Sequence, residues 1–312
     1  MRKKLVTIVF IFLVGVTSAF AHSSIFGFGP NLLGSYQYPY STAALGRGGF
    51  SMAIVDSVSL NQANFATWSK LSLSTFTLNM EYQGLNISSD NDRNIFLTEA
   101  NFRGGFIAWP LIKRKLTLGL GLIPYIVGNL GVQLEDVGVG ASAVQSVESS
   151  GTISEAKLVF AYQLTRNLSF SITPIFSFGN IKDQINIRYD NIAYGDISIE
   201  NKYQAYGVGG EIGTYLEFGN WLAAGARFKL PARLTIYSTQ KAQKVEKTVE
   251  GYRDLQLPLG ITAGMAIKFS HRFLIGIDAD YQDWERGYEL DGRRISNMNN
   301  SMRIGAGFER GP

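Results

Sequence analysis

Residues 158–178, LVFAYQLTRNLSFSITPIFSF, decide the fold. Leu158, Phe160, Tyr162 and Leu164 alternate with Val159, Ala161 and Gln163. After Thr165-Arg166-Asn167, Leu168, Phe170, Ile172, Phe176 and Phe178 alternate with Ser169, Ser171, Thr173 and Ser177. Successive side chains of a strand point to opposite faces, so the stretch reads as a hairpin with one apolar face and one small or polar face. The apolar face needs either a protein core or lipid.

The pattern recurs along the chain. Phe102, Gly104, Phe106 and Ala108 share one parity, and after a turn at 111–115 Leu116, Leu118, Leu120 and Leu122 alternate with Thr117, Gly119 and Gly121. Tyr206, Val208, Ile212, Leu216 and Phe218 lead through Gly219-Asn220 to Leu222, Ala224, Ala226, Phe228 and Leu230. Leu255, Leu257, Leu259, Ile261, Ala263, Met265, Ile267 and Phe269 precede a turn at 270–272, after which Phe273, Ile275, Ile277, Ala279 and Tyr281 follow. Single strands flank these at 76–82 and 302–308, giving about ten strands of roughly 9 to 13 residues, the length that a tilted strand needs to cross a bilayer. Short turns near 110–115, 165–167, 219–221 and 270–272 alternate with long polar connections at 83–99, 127–153, 180–204, 231–254 and 285–300. Outer-membrane barrels carry short turns on the periplasmic side and long loops outside.

Composition agrees with that class. The 312 residues include 34 Gly and 12% aromatics but only 17% charged residues, against about 25% in an average soluble domain. Cysteine is absent, which excludes disulfides, thiolate catalysis and Cys-based metal sites. Residues 1–21 have the form of a secretory signal: basic Arg2-Lys3-Lys4, an apolar run from Leu5 to Val16, and Ala19-Phe20-Ala21 as a cleavage site before His22. A retained anchor helix is the alternative, although the run is shorter than the ~20 residues of a span. Without those three basic residues, the 29 Lys+Arg fall to 26 against 25 Asp+Glu, so the basic pI of about 9.1 does not indicate a nucleic-acid partner.

The faces opposite the apolar rows carry Arg103, Glu155, Lys157, Glu211, Glu217, Arg227, Lys229, Asp278 and Asp280 among Gly, Ser and Thr. Such charges are expensive against lipid but are accepted by a wet lumen in compensating signs. Trp109, Tyr125, Tyr162, Trp221, Phe269, Phe273 and Trp284 fall near strand ends, where aromatic belts form. A secreted β-sandwich accounts for the alternation equally well. Long strands, alternating loop lengths and sparse charge favour the all-β reading of a transmembrane, antiparallel up-and-down barrel occupying 71–312.

Residues 22–70 do not alternate and are too apolar for a flexible tail. They read as a hatch or plug ahead of the first strand, with a short helix around 59–68. Ala43-Ala44-Leu45-Gly46-Arg47-Gly48-Gly49-Phe50-Ser51-Met52-Ala53, followed by Asp56-Ser57-Val58-Ser59 and Asn61-Gln62-Ala63, resembles the N-terminal signature of the FadL/TodX long-chain fatty-acid and hydrocarbon transport family. Leu118-Gly119-Leu120-Gly121-Leu122-Ile123-Pro124 is similar to that family's third strand, and Ile277-Asp278-Ala279-Asp280-Tyr281-Gln282-Asp283-Trp284 to another of its strands. The sequence departs from the family at Gln62, where the hatch motif has Pro. The chain also stops at Pro312, after the tenth strand, whereas the family has about fourteen strands in a closed barrel. The expectation is a chain lacking C-terminal strands, with a closed ten-stranded barrel as the alternative.

The resemblance implies passive uptake of a hydrophobic solute across the bacterial outer membrane. Loops 127–153 and 180–204 would capture the solute, a hatch containing Gly48, Gly49, Asn61, Gln62 and Ala63 would gate the lumen, and a third strand bent near Gly119, Gly121 and Pro124 would admit the plug or open sideways. Pro124 equally suits a plain strand end at the membrane interface. The partners implied are outer-membrane lipid and a hydrophobic small molecule. A rival class, also found among relatives, is a structural barrel serving as an accessory subunit of a secretion system and binding secretion or envelope proteins. Catalysis has little to work with: the two histidines, His22 and His271, offer no Ser-His-acid arrangement. Asp278 and Asp280 share a face and could hold a cation, although paired lumen charges are the simpler reading. No cofactor is implied.

Overall fold

The computed structural model describes residues 35–310 apart from 57–58, 89–93, 136–142, 190–194, 243–244, 271–272 and 295–298. The signal-like run 1–21, His22, His271 and Pro312 lie outside the described residues.

One antiparallel sheet accounts for almost everything after residue 74. Its long strands run in sequence: β2 (Thr75–Ser88), β3 (Asn94–Ile112), β4 (Leu116–Glu135), β5 (Ala143–Gln163), β6 (Leu168–Tyr189) and β7 (Ile197–Phe218). β7 then pairs with β8 (Leu222–Lys229) in its lower part and with β9 (Ala232–Ala242) in its upper part. β9 continues to β10 (Val245–Leu257), and β8 pairs with β11 (Gly260–Ser270). β8 with β9, and β10 with β11, are thus two long strands broken at Pro231 and at Pro258-Leu259, where proline withholds a ladder hydrogen bond. β12 (Phe273–Gln282) pairs with β11 on one side and β15 (Ser301–Arg310) on the other. Between them lie a short helix α2 (Trp284–Gly287) and the two-residue strands β13 (Glu289–Leu290) and β14 (Arg293–Arg294), and β13 pairs with the lower end of β10 at Leu255–Gln256. Among the described residues β2 and β15 each pair on one side only. The closed ten-stranded form is therefore not observed.

The strands are longer than the alternation suggested. β6 and β7 have 22 residues each, which at about 3.3 Å per residue is roughly 70 Å, far more than the ~30 Å hydrocarbon layer needs. Much of the segments expected as polar loops 127–153, 180–204 and 231–254 continues as strand. The exposed apolar side chains mark a shorter zone: Leu120 and Leu122 on β4, Ile172, Phe176 and Phe178 on β6, Tyr206, Val208 and Ile212 on β7, Ile275 and Ile277 on β12, and Met302, Ile304 and Phe308 on β15. This is the outward belt expected of a barrel in lipid.

Three irregularities switch the face that a given parity presents. Between Met80 and Asn79 of β2, β3 carries an extra residue beside Gly104, whose φ is +132°. Phe102 therefore points outward, whereas Phe106 and Ala108 are buried on the opposite face. Leu255 and Leu257 are buried inside, but Met265, beyond Pro258, is exposed outside. Likewise Phe228 is exposed while Leu234 and Ile236, beyond Pro231, are buried. Not all of the expected belt aromatics lie in the belt. Trp109, Trp221 and Phe269 are exposed, but Tyr125 is buried and Trp284 packs against the inner apolar core beside it.

The sheet curls until distant strands meet. Lys229 of β8 reaches Glu155 of β5 and lies 3.3 Å from the Tyr125 ring centroid on β4. The concave side is filled by the segment 35–71 below and by an apolar core above. That core joins Tyr125, Ile126, Ile153, Ile181, Leu234 and Leu255.

Candidate functional site

The segment ahead of the first long strand is built around two asparagines. Asn61 Nδ2 donates to Ser51 O (2.6 Å) and Ile54 O (3.0 Å), and its Oδ1 accepts from Ala63 N (2.9 Å) and Asn64 N (3.2 Å). Asn64 Oδ1 accepts from Ala66 N and caps a 3-10 helix, Phe65–Lys70, while its Nδ2 donates to Met52 O and to Thr214 O of β7. An amide side chain that both donates and accepts can satisfy a non-repetitive backbone that has no ladder of its own. Ala63 is buried beneath this frame, whereas both Gln62 amide atoms are buried without a partner. The helix 59–68 expected from sequence is replaced by this turn and the 3-10 helix, and a five-residue helix α1 (Thr42–Gly46) lies earlier.

Contacts fix the segment to the wall on every side. Asp278 Oδ2 accepts from Ser51 N (2.6 Å) and Met52 N (2.9 Å). Trp68 donates to Asn61 O, stacks edge-on with Phe65 and Phe106, and lies over Gly119, where a Cβ would overlap its ring. Gly121 gives Phe106 the same freedom of approach. Gly48 and Gly49 adopt φ of +90° and +78°, values that other residues reach only with strain, and they pass close over β15 at Ala306 and Arg303. Arg303 in turn lies 4.2 Å from the Tyr40 ring centroid. Burial holds the Tyr40 phenol above its usual range, so it stays protonated. α1 spans the two edge strands: Thr42 donates to Asn79 of β2, and Arg47 pairs with Glu309 of β15 at 2.7 Å and with Asp56 at 2.9 Å.

Above the segment lies a layer of buried charge. Glu155 is held by Lys229 and by Lys157 (3.3 Å), Lys157 also meets Glu211 (3.0 Å), and Arg227 meets Asp280 (3.3 Å) and Thr262 (2.8 Å). Such groups persist in a dry interior only when paired. Glu217 lies lower, at the rim, with Lys70 and Tyr215, and Arg103 engages Glu81 on β2. Asp278 and Asp280 are therefore committed to backbone amides and to Arg227. No group of three or more potential metal ligands occurs among the described residues.

The wall splits between β3 and β4. The two strands pair from Ile112–Leu116 up to Gly105–Leu122 and no further. Beyond that point β3 follows β2, while β4 follows β5 through a bulge at Pro124–Ile126. Pro124 stands level with Phe178 and Tyr206, through Ser154, so the split begins within the apolar belt. The chain's own N-terminal strand β1 (Ser35–Tyr36) bridges it. Ser35 and Tyr36 pair with Val127 and Ile126, Gln37 N donates to Tyr125 O (2.8 Å), and Arg103 of β3 donates to Gln37 Oε1 (2.8 Å). Tyr36 packs edge-on against Tyr125, Tyr38 and Trp284. At the foot of the split a depression of about 660 Å³ is lined by Phe76, Gly105, Ile107, Leu122, Phe176 and Val208 among others. Sequence reasoning missed the strap of residues 35–37. Its signal, the aromatic run Tyr36, Tyr38 and Tyr40, has no strand-like neighbours.

A family model described as BamG matches residues 1–308. Among solved structures, the Ralstonia pickettii toluene transporter TbuX superposes with a TM-score of 0.58 at 15% identity, covering 90% of this chain and 83% of that one. A Pseudomonas aeruginosa FadL homologue gives 0.55 at 12% identity, with 88% and 77% covered. The CymD monoaromatic hydrocarbon channel gives 0.52 at 13%, with 90% and 81% covered. These likenesses show the FadL/TodX-type outer-membrane β-barrel fold. No curated protein sequence matches the chain.

Proposed function

The chain belongs to the BamG family, and from that premise and its fold we propose that it is an outer-membrane barrel that passes hydrophobic small molecules through a lumen gated by its N-terminal segment. The observation that carries this reading is the split between β3 and β4. A gap in a lipid-facing wall leaves backbone groups unpaired unless something fills it, and among the described residues the filler is the strap Ser35–Gln37. Release of Ser35–Gln37 would open a side passage, next to an apolar depression, from the inner core to the hydrocarbon layer. An apolar solute taking that route needs no energy source, because its own partition into lipid drives it. The structural neighbours, among them a toluene transporter and a monoaromatic hydrocarbon channel, support this class of solute.

The test uses the absence of cysteine. Tyr36→Cys with Ile126→Cys places thiols on paired residues of β1 and β4, within reach of a disulfide. Reduced protein in liposomes is expected to take up a labelled fatty acid or toluene faster than empty vesicles, and oxidised protein to fall to the vesicle rate. Wild-type uptake no faster than empty vesicles would remove the transport reading.

A second reading, an accessory subunit that binds secretion or envelope proteins, is favoured by one observation. β4 to β7 continue as paired strands well beyond the apolar belt, which provides a firm platform where soft capture loops were expected. Recovery of stoichiometric envelope proteins with the detergent-solubilised chain, together with negligible uptake, would favour it.

A further inference from the structure

The end of the barrel that carries the short turns bears an exposed cationic patch that the lumen does not use. The β3–β4 turn places Lys113, Arg114 and Lys115 in solvent, and the β5–β6 turn adds Arg166. Lys70, at the end of the 3-10 helix, donates to Arg166 O (2.9 Å) and pairs with Glu217 (3.0 Å), which leaves the other four cations facing outward. Backbone bonds fix the pieces relative to one another: Arg114 N donates to Leu71 O, Gln163 N to Lys115 O, and Glu217 N to Asn167 O. Arg114 has φ of +55°. A non-glycine residue costs about 1 kcal/mol or more there, so glycine or asparagine would make this turn more cheaply. Around the patch the wall ends in exposed apolar side chains: Leu73 at 71%, Leu111 at 64% and Leu164 at 61%, with Trp109 beside them. Cations set directly beyond an apolar collar lie at the depth of lipid headgroups.

We infer that this patch binds the phosphate headgroups of anionic phospholipids in the leaflet on the short-turn side, so that the barrel gathers such lipids around β3 to β6. The inference rests on the membrane-embedded orientation of the belt and is independent of transport. The charge and its placement match the occupant: Lys and Arg donate to phosphate oxygens, and the neighbouring leucines cover the upper acyl chain. An acidic protein would use the cations but not the collar.

Trp109 and Trp221 face the collar, whereas Trp68 is buried and Trp284 lies inside. The full chain is reconstituted in phosphatidylcholine vesicles containing the same small fraction of either brominated phosphatidylglycerol or brominated phosphatidylcholine, and tryptophan quenching is compared. Each cation near the surface is worth about a fivefold gain in anionic lipid occupancy, so the anionic quencher is expected to be clearly the stronger. The excess should disappear in the combined variant Lys113→Gln, Arg114→Asn, Lys115→Gln, Arg166→Gln, remain with Lys113→Arg and Lys115→Arg, and be screened in wild type at about 1 M salt. Equal quenching by the two lipids in wild type, or an excess that survives in the neutral variant, overturns the inference, and binding of an acidic polypeptide in their place would reassign the patch. Quenching by the zwitterionic lipid reports membrane embedding separately.

Discussion

Replacing Asn61 by alanine should loosen the N-terminal segment without unravelling the barrel. The side chain makes four hydrogen bonds, to Ser51 O, Ile54 O, Ala63 N and Asn64 N, and all four partner residues are buried. At a net value of about 1 kcal/mol per bond, the loss is about 4 kcal/mol, and stranded groups that find no water raise it further. A local opening constant should therefore rise roughly a thousandfold. Hydrogen exchange read by mass spectrometry on the detergent-solubilised protein separates the two effects. Peptides covering 51–69 should exchange about a thousandfold faster, while those covering β5 and β6, whose ladder does not involve Asn61, should be unchanged. Protection of 51–69 within about fivefold of wild type would refute the idea that this amide frames the segment.

Further substitutions probe the wall and the lumen. Gly225→Val puts a branched side chain where a Cβ already overlaps Met52 O, so limited proteolysis should cleave the N-terminal segment while heat-dependent electrophoretic mobility still reports a folded barrel. Lys229→Met leaves Glu155 buried with Lys157 as its remaining cation and should cost about 3–5 kcal/mol in urea unfolding, most of it recovered when Glu155→Gln is added. Gln62→Leu removes two buried amide atoms that have no partner and should raise stability by about 1–2 kcal/mol in the same assay. A lower midpoint would mean that the amide is satisfied in solution.

The lipid belt was readable because it is enforced at every second residue. Leu116 to Leu122 alternate without interruption and Leu168 to Phe178 do so except at Ile175, so a slip would put Gly, Ser or Thr against hydrocarbon. The inward charges were readable for the complementary reason, since Glu155 and Lys157 could not face lipid, yet which cation meets which acid depends on curvature that no strand encodes alone. The upper strands were not readable. Above the membrane a stretch such as Ser198–Gln204 carries polar residues on both faces, Glu200 and Lys202 on one and Asn201 on the other, so polarity stops alternating and the segment resembles a loop. The switches of face at Gly104, Pro231 and Pro258 were marked by the residue types that tolerate them, but those marks do not say whether the chain bends, ends or reverses its inward face. The strap was hidden most deeply, because β1 exists only where β3 has left β4, and that is a property of three separated segments together.

The helix that touches both edge strands also bears on how the molecule assembles. Hairpin registers such as that of β5 with β6 join neighbours in sequence, whereas Arg47 meets Glu309 across 262 positions and Ser51 meets Asp278 across 227. Closing a chain of that length costs on the order of 5 kcal/mol of entropy, so these contacts belong late in folding, after the hairpins have zipped. The earliest-synthesised part of the described chain is thus the last to seat, and the curl of the sheet is fastened by a clasp that waits for β12 and β15.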